Sequence, residues 1–195
     1  MRNLVLLAVA VCVCFTVIPV VAQDYDHVEI GVFANYLDLS RTTPNINYAG
    51  LGGRVGFNVR PSVQIEAEMS YNFERDFTSV FSNGIETQFV RSHVRPLDGL
   101  FGPKFQTGSG PFRAFATFKV GFLNFSTSNE SVAEGFVGGL GAVTSGNTSA
   151  AIYPGVGVEG FWGPFGLRAD AGDEIYFDHG AQHNVKVTFG PVLRF

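Results

Sequence analysis

Thiol chemistry is the first thing this chain does without. Of its 195 residues only two are cysteine, Cys12 and Cys14, and both lie in an apolar run near the N terminus. That run, residues 4–18, follows Arg2 and ends at Pro19 and the small-residue stretch Val20-Val21-Ala22. It reads as a secretory leader, residues 1–22, with cleavage expected between Ala22 and Gln23. The run is shorter than the ~20 apolar residues a membrane-spanning helix requires. A lipoprotein leader is disfavoured because Val11 and Val13, not small residues, precede the two cysteines. With the leader gone no thiol remains, which excludes disulfides and thiolate metal sites from the mature chain. Charge is scarce as well, at 15% of residues. Removal of Arg2 leaves 12 basic against 17 acidic residues, a net of −5, so the basic face that nucleic acid requires is missing.

What the chain has instead is 24 glycines and 20 phenylalanines, distributed with a period of two. Eight windows can be drawn in which alternate residues are apolar: 28–36, 50–60, 63–73, 97–105, 112–122, 150–160, 165–171 and 185–195. The clearest is the third, where Val63, Ile65, Ala67, Met69, Tyr71 and Phe73 alternate with Gln64, Glu66, Glu68, Ser70 and Asn72. Across all eight, thirteen charges fall on the polar parity, with Arg60 at the last position of its window as a fourteenth, and none on the other: Glu29, Arg54, Glu66, Glu68, Asp98, Lys104, Arg113, Lys119, Glu159, Arg168, Asp170, Lys186 and Arg194. An Arg or Lys on the lipid side of a membrane strand costs ~2–4 kcal/mol at mid-depth, and a penalty of that size selects such a division. A soluble barrel with an apolar interior would reverse the faces.

Connections alternate in length. Those at 61–62, 107–111 and 162–164 are tight, whereas 37–49, 74–96, 123–149 and 172–184 are long and polar or glycine-rich. Short turns on one side and long loops on the other predict an all-β chain, a transmembrane antiparallel up-and-down β-barrel of eight strands over residues 23–195, with both termini on the periplasmic side. Ten strands would follow if 132–143 formed a further hairpin. Pro103, Pro154 and Pro191 lie inside windows, where each is expected to mark a bulge or a strand end.

Gly52-Gly53-Arg54-Val55-Gly56-Phe57-Asn58 followed by Val63-Gln64-Ile65-Glu66-Ala67-Glu68, then Phe101-Gly102-Pro103-Lys104-Phe105, Leu167-Arg168-Ala169-Asp170-Ala171-Gly172-Asp173 and the final Phe195 together resemble the small outer-membrane protein A-like and X-like β-barrel family. The resemblance spans the mature chain. It implies a monomeric, eight-stranded barrel of the bacterial outer membrane with a filled lumen, exported through the periplasm. It also implies that Phe189, Leu193 and Phe195 form the terminal signal read by the barrel-assembly machinery. The peptidoglycan-binding domain of longer members is not expected here.

Inward charges are the candidate functional residues. Register across the 61–62 turn places Arg54 opposite Glu68, and across Gly163 it places Arg168 opposite Glu159. With Glu66, Lys119 and Asp170 these are expected either to plug the lumen as ion pairs or to gate a narrow ion-conducting channel, since eight strands leave room for little but side chains. Aromatics at the ends are expected to form girdles, with Tyr36, Tyr48, Tyr71 and Phe73 at the outer rim and Trp162, Phe161, Phe165, Phe112 and Phe195 at the periplasmic one. His179, His183, Asp178 and His93 fall in long loops. A lipid-modifying enzyme would draw its base from them, but no catalytic, cofactor-binding or metal-ligating set is expected. The expected partners are outer-membrane lipids and the assembly machinery. The expected role is non-enzymatic, in envelope integrity or in surface contacts through the long loops.

Overall fold

A computed structural model of the chain describes residues 26–39, 46–82, 87–129, 148–178 and 180–195. The leader 1–22 and the 132–143 hairpin fall outside them. The strands are β1 (Val28–Leu39), β2 (Ile46–Arg60), β3 (Val63–Asn72), β4 (Arg75–Ser82), β5 (Thr87–Gln106), β6 (Phe112–Asn129), β7 (Thr148–Trp162), β8 (Phe165–Asp173), β9 (Ile175–Phe177), β10 (Ala181–Gln182) and β11 (Asn184–Arg194). Eight of them make the wall in the order β1–β2–β3–β5–β6–β7–β8–β11, and β11 closes on β1, every pair antiparallel. Closure leaves no unpaired wall edge. The two ends of the chain are tied where His27 and Val28 donate their amides to the Phe195 carbonyl at 3.0 and 2.9 Å.

The strands outrun the windows mainly at the end opposite the tight turns. The connection 74–96, read as a long loop with the fourth strand starting at Leu97 or as early as Gln88, is a hairpin: β5 begins at Thr87, and β4 pairs with its first part from Arg75↔Val94 to Ser82↔Thr87. Likewise β9 and β10 build a small hairpin inside 172–184, turned at Gly180 with φ 138°. At ~3.3 Å per residue the 20 residues of β5 span about 66 Å, well beyond a hydrocarbon core of ~30 Å. The barrel therefore projects past the membrane-thick section at the end opposite the tight turns.

In that projection the alternation inverts. Through the section bounded by Trp162 and Tyr71, outward residues are apolar and inward ones charged. Beyond it the inward residues are Leu37, Leu39, Tyr48, Leu123 and Ala151, all buried, while Asp38, Asn47, Asn124, Ser126 and Thr148 take the outward positions. Asn124 Nδ2 donates to Thr148 Oγ1 across that outer surface at 2.7 Å. The inversion is what a wall passing from lipid into water requires, because outside lipid the ordinary rule of apolar burial returns.

None of the three window prolines ends its strand or shifts its register. Pro103 still pairs with Ile65 of β3, and the β5–β6 ladder skips from Phe101↔Val120 to Lys104↔Thr117. Pro191 pairs with Leu167 of β8, and the β1–β11 ladder skips from Gly31↔Val192 to Ala34↔Phe189. Pro154 pairs with Phe118 of β6, and on its other side the pairing breaks between β8 and β9. Each proline points its missing donor at one neighbour and keeps the other. Glycines stand where the broken ladders pinch: a Cβ on Gly102 would strike the Phe118 carbonyl oxygen, and one on Gly190 the Val32 oxygen. Such close backbone approach sharpens the curvature of a narrow barrel.

Candidate functional site

Among the described residues, chemistry-bearing side chains converge in the interior. The charges of the polar parity point inward, twelve of them buried and Arg194 partly so, except Arg60, which is exposed beside the 61–62 turn after an irregularity in the β2–β3 register. Glu174, at the break between β8 and β9, joins them as a buried carboxylate that the windows did not include. Six buried Lys or Arg thus face seven buried Asp or Glu. Near-balance is a physical necessity, because an unpaired buried charge is far costlier than a paired one.

Three layers can be followed up the barrel. Next to the tight turns, Arg113 Nη1 contacts Glu29 at 2.7 Å, and Lys104 Nζ bridges Glu29 and Glu159, both at 3.0 Å. Asp26 closes this end by pairing with Arg194 at 3.2 Å, and Gln64 donates to Asn58 Oδ1 at 3.1 Å. In the middle, Arg168 forks onto both oxygens of Glu66 and reaches Asp170 at 3.2 Å. Lys119 lies between Glu66 and Glu68, 2.6 Å from the latter. Asp170 also accepts from Arg54 at 2.8 Å, Thr188 at 2.9 Å and the Tyr153 hydroxyl at 3.0 Å. Towards the outer end, Lys186 Nζ meets Asp98 at 2.7 Å, Glu174 at 3.1 Å and Glu68 at 3.5 Å, and Ser70 donates to Asp98. Above lies an apolar cap of Leu37, Leu39, Tyr48, Leu100, Leu123, Ala151, Tyr153 and Tyr176.

The registers expected from the sequence are present, with Arg54 opposite Glu68 and Arg168 opposite Glu159. The ion pairs follow different lines. Arg54 pairs with Asp170, 116 residues away, and Arg168 with Glu66, 102 residues away. Glu159 is taken by Lys104 at 3.0 Å, with Arg113 opposite it on β6 at 3.7 Å, rather than by Arg168 on its other side. Long side chains in a closed barrel reach across the lumen, so cross-strand adjacency sets short polar contacts such as Ser70–Asp98 and Thr188–Asp170 but does not by itself choose the partner of a long cation.

Four inward aromatics complete the filling: Phe33, Phe115, Tyr153 and Phe161. Each lies over a glycine whose Cβ would strike the ring, namely Gly52 under Phe33, Gly157 under Phe115, Gly155 under Tyr153 and Gly166 under Phe161. Each ring also carries a cation: Arg54 over Phe33 at 4.2 Å, Arg168 over Phe115 at 4.2 Å, Lys186 over Tyr153 at 5.6 Å, and Arg113 and Arg194 over Phe161 at 4.8 and 4.3 Å. Stacked glycine, ring and cation let large side chains share the narrow lumen and lower the cost of burying charge.

Two girdle assignments are corrected. Phe161 is only 4% exposed and points inward, whereas its neighbour Trp162 is 69% exposed. Tyr48 belongs to the cap, not to the outer rim. Both continue the inward parity of their strands, so the signal was present in the sequence and rim proximity obscured it. Tyr36, Tyr71, Phe73, Phe112 and Phe165 all face outward, as do Phe189, Leu193 and Phe195 at the C terminus. His183 Nδ1 lies 2.6 Å from Asp173 Oδ2 on the exposed outer end. His179 and the His93 side chain fall outside the described residues. Among the described residues no group of three His, Cys, Asp or Glu is placed to hold a metal.

No family model matches the sequence, and no curated protein matches it. Solved structures do. Ail, the attachment invasion locus protein of Yersinia pestis, superposes with a TM-score of 0.52 at 13% identity over 87% of this chain and 97% of its own. OprG from Pseudomonas aeruginosa, an outer membrane protein, gives 0.51 at 10% identity over 89% and 98%. Neisserial surface protein A gives 0.50 at 11% over 86% and 97%. This is the fold of the eight-stranded outer-membrane barrels. In outer-membrane barrels of eight strands the interior is just wide enough for side chains to fill it, and the layers above occupy that space.

Proposed function

We propose that the chain is an integral protein of the bacterial outer membrane, exported through the periplasm by the leader 1–22, whose closed lumen makes it a structural or surface-interacting protein and not a transporter or enzyme. The carrying observation is the lumen network: every buried cation contacts a carboxylate within 3.2 Å. The apolar cap adds a second seal on the outer side. On this reading the strands projecting beyond the membrane present the contact surface, the barrel is monomeric, and Phe189, Leu193 and Phe195 form the signal to the assembly machinery.

The test is single-channel conductance of the mature chain refolded into a planar bilayer, with insertion checked separately by protease protection. The expected result is full insertion without conductance steps. A narrow ion-conducting channel is the second reading, favoured by the sharing of partners: Lys119 contacts two glutamates and Lys186 three carboxylates, so a cation can change partners without losing all of them. Steps that shift when Glu68→Gln is introduced would establish it. The His183–Asp173 pair is the feature that favours an outer-membrane lipid-modifying enzyme, and altered lipid in producing cells would be its signature.

A further inference from the structure

A cleft on the lipid-facing side of the outer rim takes no part in the lumen network. It has a volume of about 370 Å³ and is lined by Tyr36, Asn47, Tyr48, Ala49, Phe73 and Glu74. Its shape follows from the register. Tyr36 pairs with Ala49 across β1 and β2, and the Phe73 amide donates to the Ala49 carbonyl at 2.8 Å. A methyl group is thus the floor between two outward rings. Below it Val32 and Leu51 are exposed on the apolar belt, and above it Asn47 and Glu74 begin the polar surface. The cleft therefore straddles the line where the alternation inverts.

A cation stands on the adjoining strand. Leu97 of β5 pairs with Tyr71 of β3, and Arg95 lies two residues further on the same outward parity. Its guanidinium is held 5.0 Å over the Tyr71 ring, and Nη1 donates to the Tyr71 hydroxyl at 3.1 Å. Tyr71 in turn meets Phe73 edge to face at 6.4 Å, so cation, rings and cleft are continuous. Among the residues with described side chains, the other Lys and Arg face the lumen or lie at the tight-turn end, as Arg60 does.

We propose that this sector of the rim binds an outer-leaflet glycolipid bearing phosphate on an acylated sugar. The proposal rests on the outer-membrane reading above. Aromatic walls about a small floor accept the apolar face of a sugar ring, and the amide and carboxylate above them suit its hydroxyls. The planar guanidinium matches a phosphate, to which it can donate in a fork. The exposed aliphatic belt below continues into acyl chains. A soluble sugar would leave that belt unused, and a plain phospholipid would leave the ring-walled cleft unused.

The test is native mass spectrometry of the folded chain in detergent, titrated with a bisphosphorylated acylated glucosamine disaccharide, its dephosphorylated form, or phosphatidylglycerol. The wild-type chain is expected to retain one disaccharide lipid. Arg95→Gln and Ala49→Trp, on different strands and both outward, are each expected to weaken retention by about tenfold, and dephosphorylation to match the Arg95 change. Phosphatidylglycerol is expected to be held no better by wild type than by Ala49→Trp. Undiminished retention in both variants, or equal retention of phosphatidylglycerol and the disaccharide lipid, overturns the proposal. Protease protection in vesicles separates the two readings. A wild-type chain that does not insert removes the outer-membrane reading and this proposal with it, and an inserted chain without selectivity removes this proposal alone.

Discussion

The two parts of the lumen solve one packing problem by opposite means. In the membrane-thick section the interior is charged, and glycines in the wall leave space for long side chains and flat rings. In the projection beyond it the interior is a cap of leucines, tyrosines and an alanine. The outer surface changes in the opposite sense, from exposed Val156, Val120 and Phe101 to Asn124, Ser126 and Thr148. Lipid on the outside leaves the interior as the only place for charge, and charge can stay there only if paired. Water on the outside restores the hydrophobic effect, and the interior becomes apolar. The boundary between these regimes, near Tyr36, Tyr71 and Phe73, is also where the proposed glycolipid cleft lies.

That contrast can be attacked from both sides by equilibrium unfolding, followed by the fluorescence of the single tryptophan, Trp162. The largest effect is expected in the charged layer. Arg168→Ala removes the fork on Glu66 and one of two cations on Asp170, leaving Lys119 and Arg54 to serve them, and should cost about 3–5 kcal/mol, whereas a loss below 1 kcal/mol would mean that water already reaches this layer. Next comes the lipid face at mid-depth, where Val156→Arg should cost about 2–4 kcal/mol in bilayers. The same change without penalty there would contradict membrane burial of β7. In the cap, Leu123→Ala should cost about 2–3 kcal/mol, within the usual range for a buried leucine. If instead it matched a surface substitution, the cap would not be a packed core. The smallest effect concerns the wall. Gly102→Ala forces the backbone of β6 away and should cost about 1–3 kcal/mol, detectable as a shifted midpoint with unchanged slope.

A different kind of comparison sharpens the pairing itself. A double-mutant cycle on Arg54 and Asp170, which touch across the lumen, should give a coupling of about 1–3 kcal/mol. The same cycle on Arg168 and Glu159, neighbours across a ladder without an ion pair between them, should give less. Equal couplings would mean that cross-strand adjacency, not reach across the lumen, sets the partners.

Much of this architecture was legible because a strand has a period of two and lipid penalises charge. The strand windows, the tight turns at 61–62 and 162–164 and the inward parity of Arg54, Glu66, Glu68, Lys119, Glu159, Arg168 and Asp170 all follow from that rule. Legibility failed where the rule changes sign. Leu37, Tyr48 and Leu123 lie past the rim, where inward means apolar, so lipid-facing alternation does not reveal β4 or the outer half of β6, while an early start for β5 at Gln88 is legible in the sequence. Phe161 and Tyr48 were assigned by proximity to a rim when extension of their own strand's parity would have turned both inward. Glu174 continues the inward parity of Arg168, Asp170 and Gly172 but lies past the end of the 165–171 window.

The sequence by itself determined which face of each strand carries charge, because alternation is local and a misplaced charge in lipid is heavily penalised. Only the closed barrel decided that Arg54 meets Asp170, that Arg168 meets Glu66 and that Lys104 takes Glu159. Those partners are brought together by strand order and ring closure across the lumen, and no spacing along the chain encodes that distance.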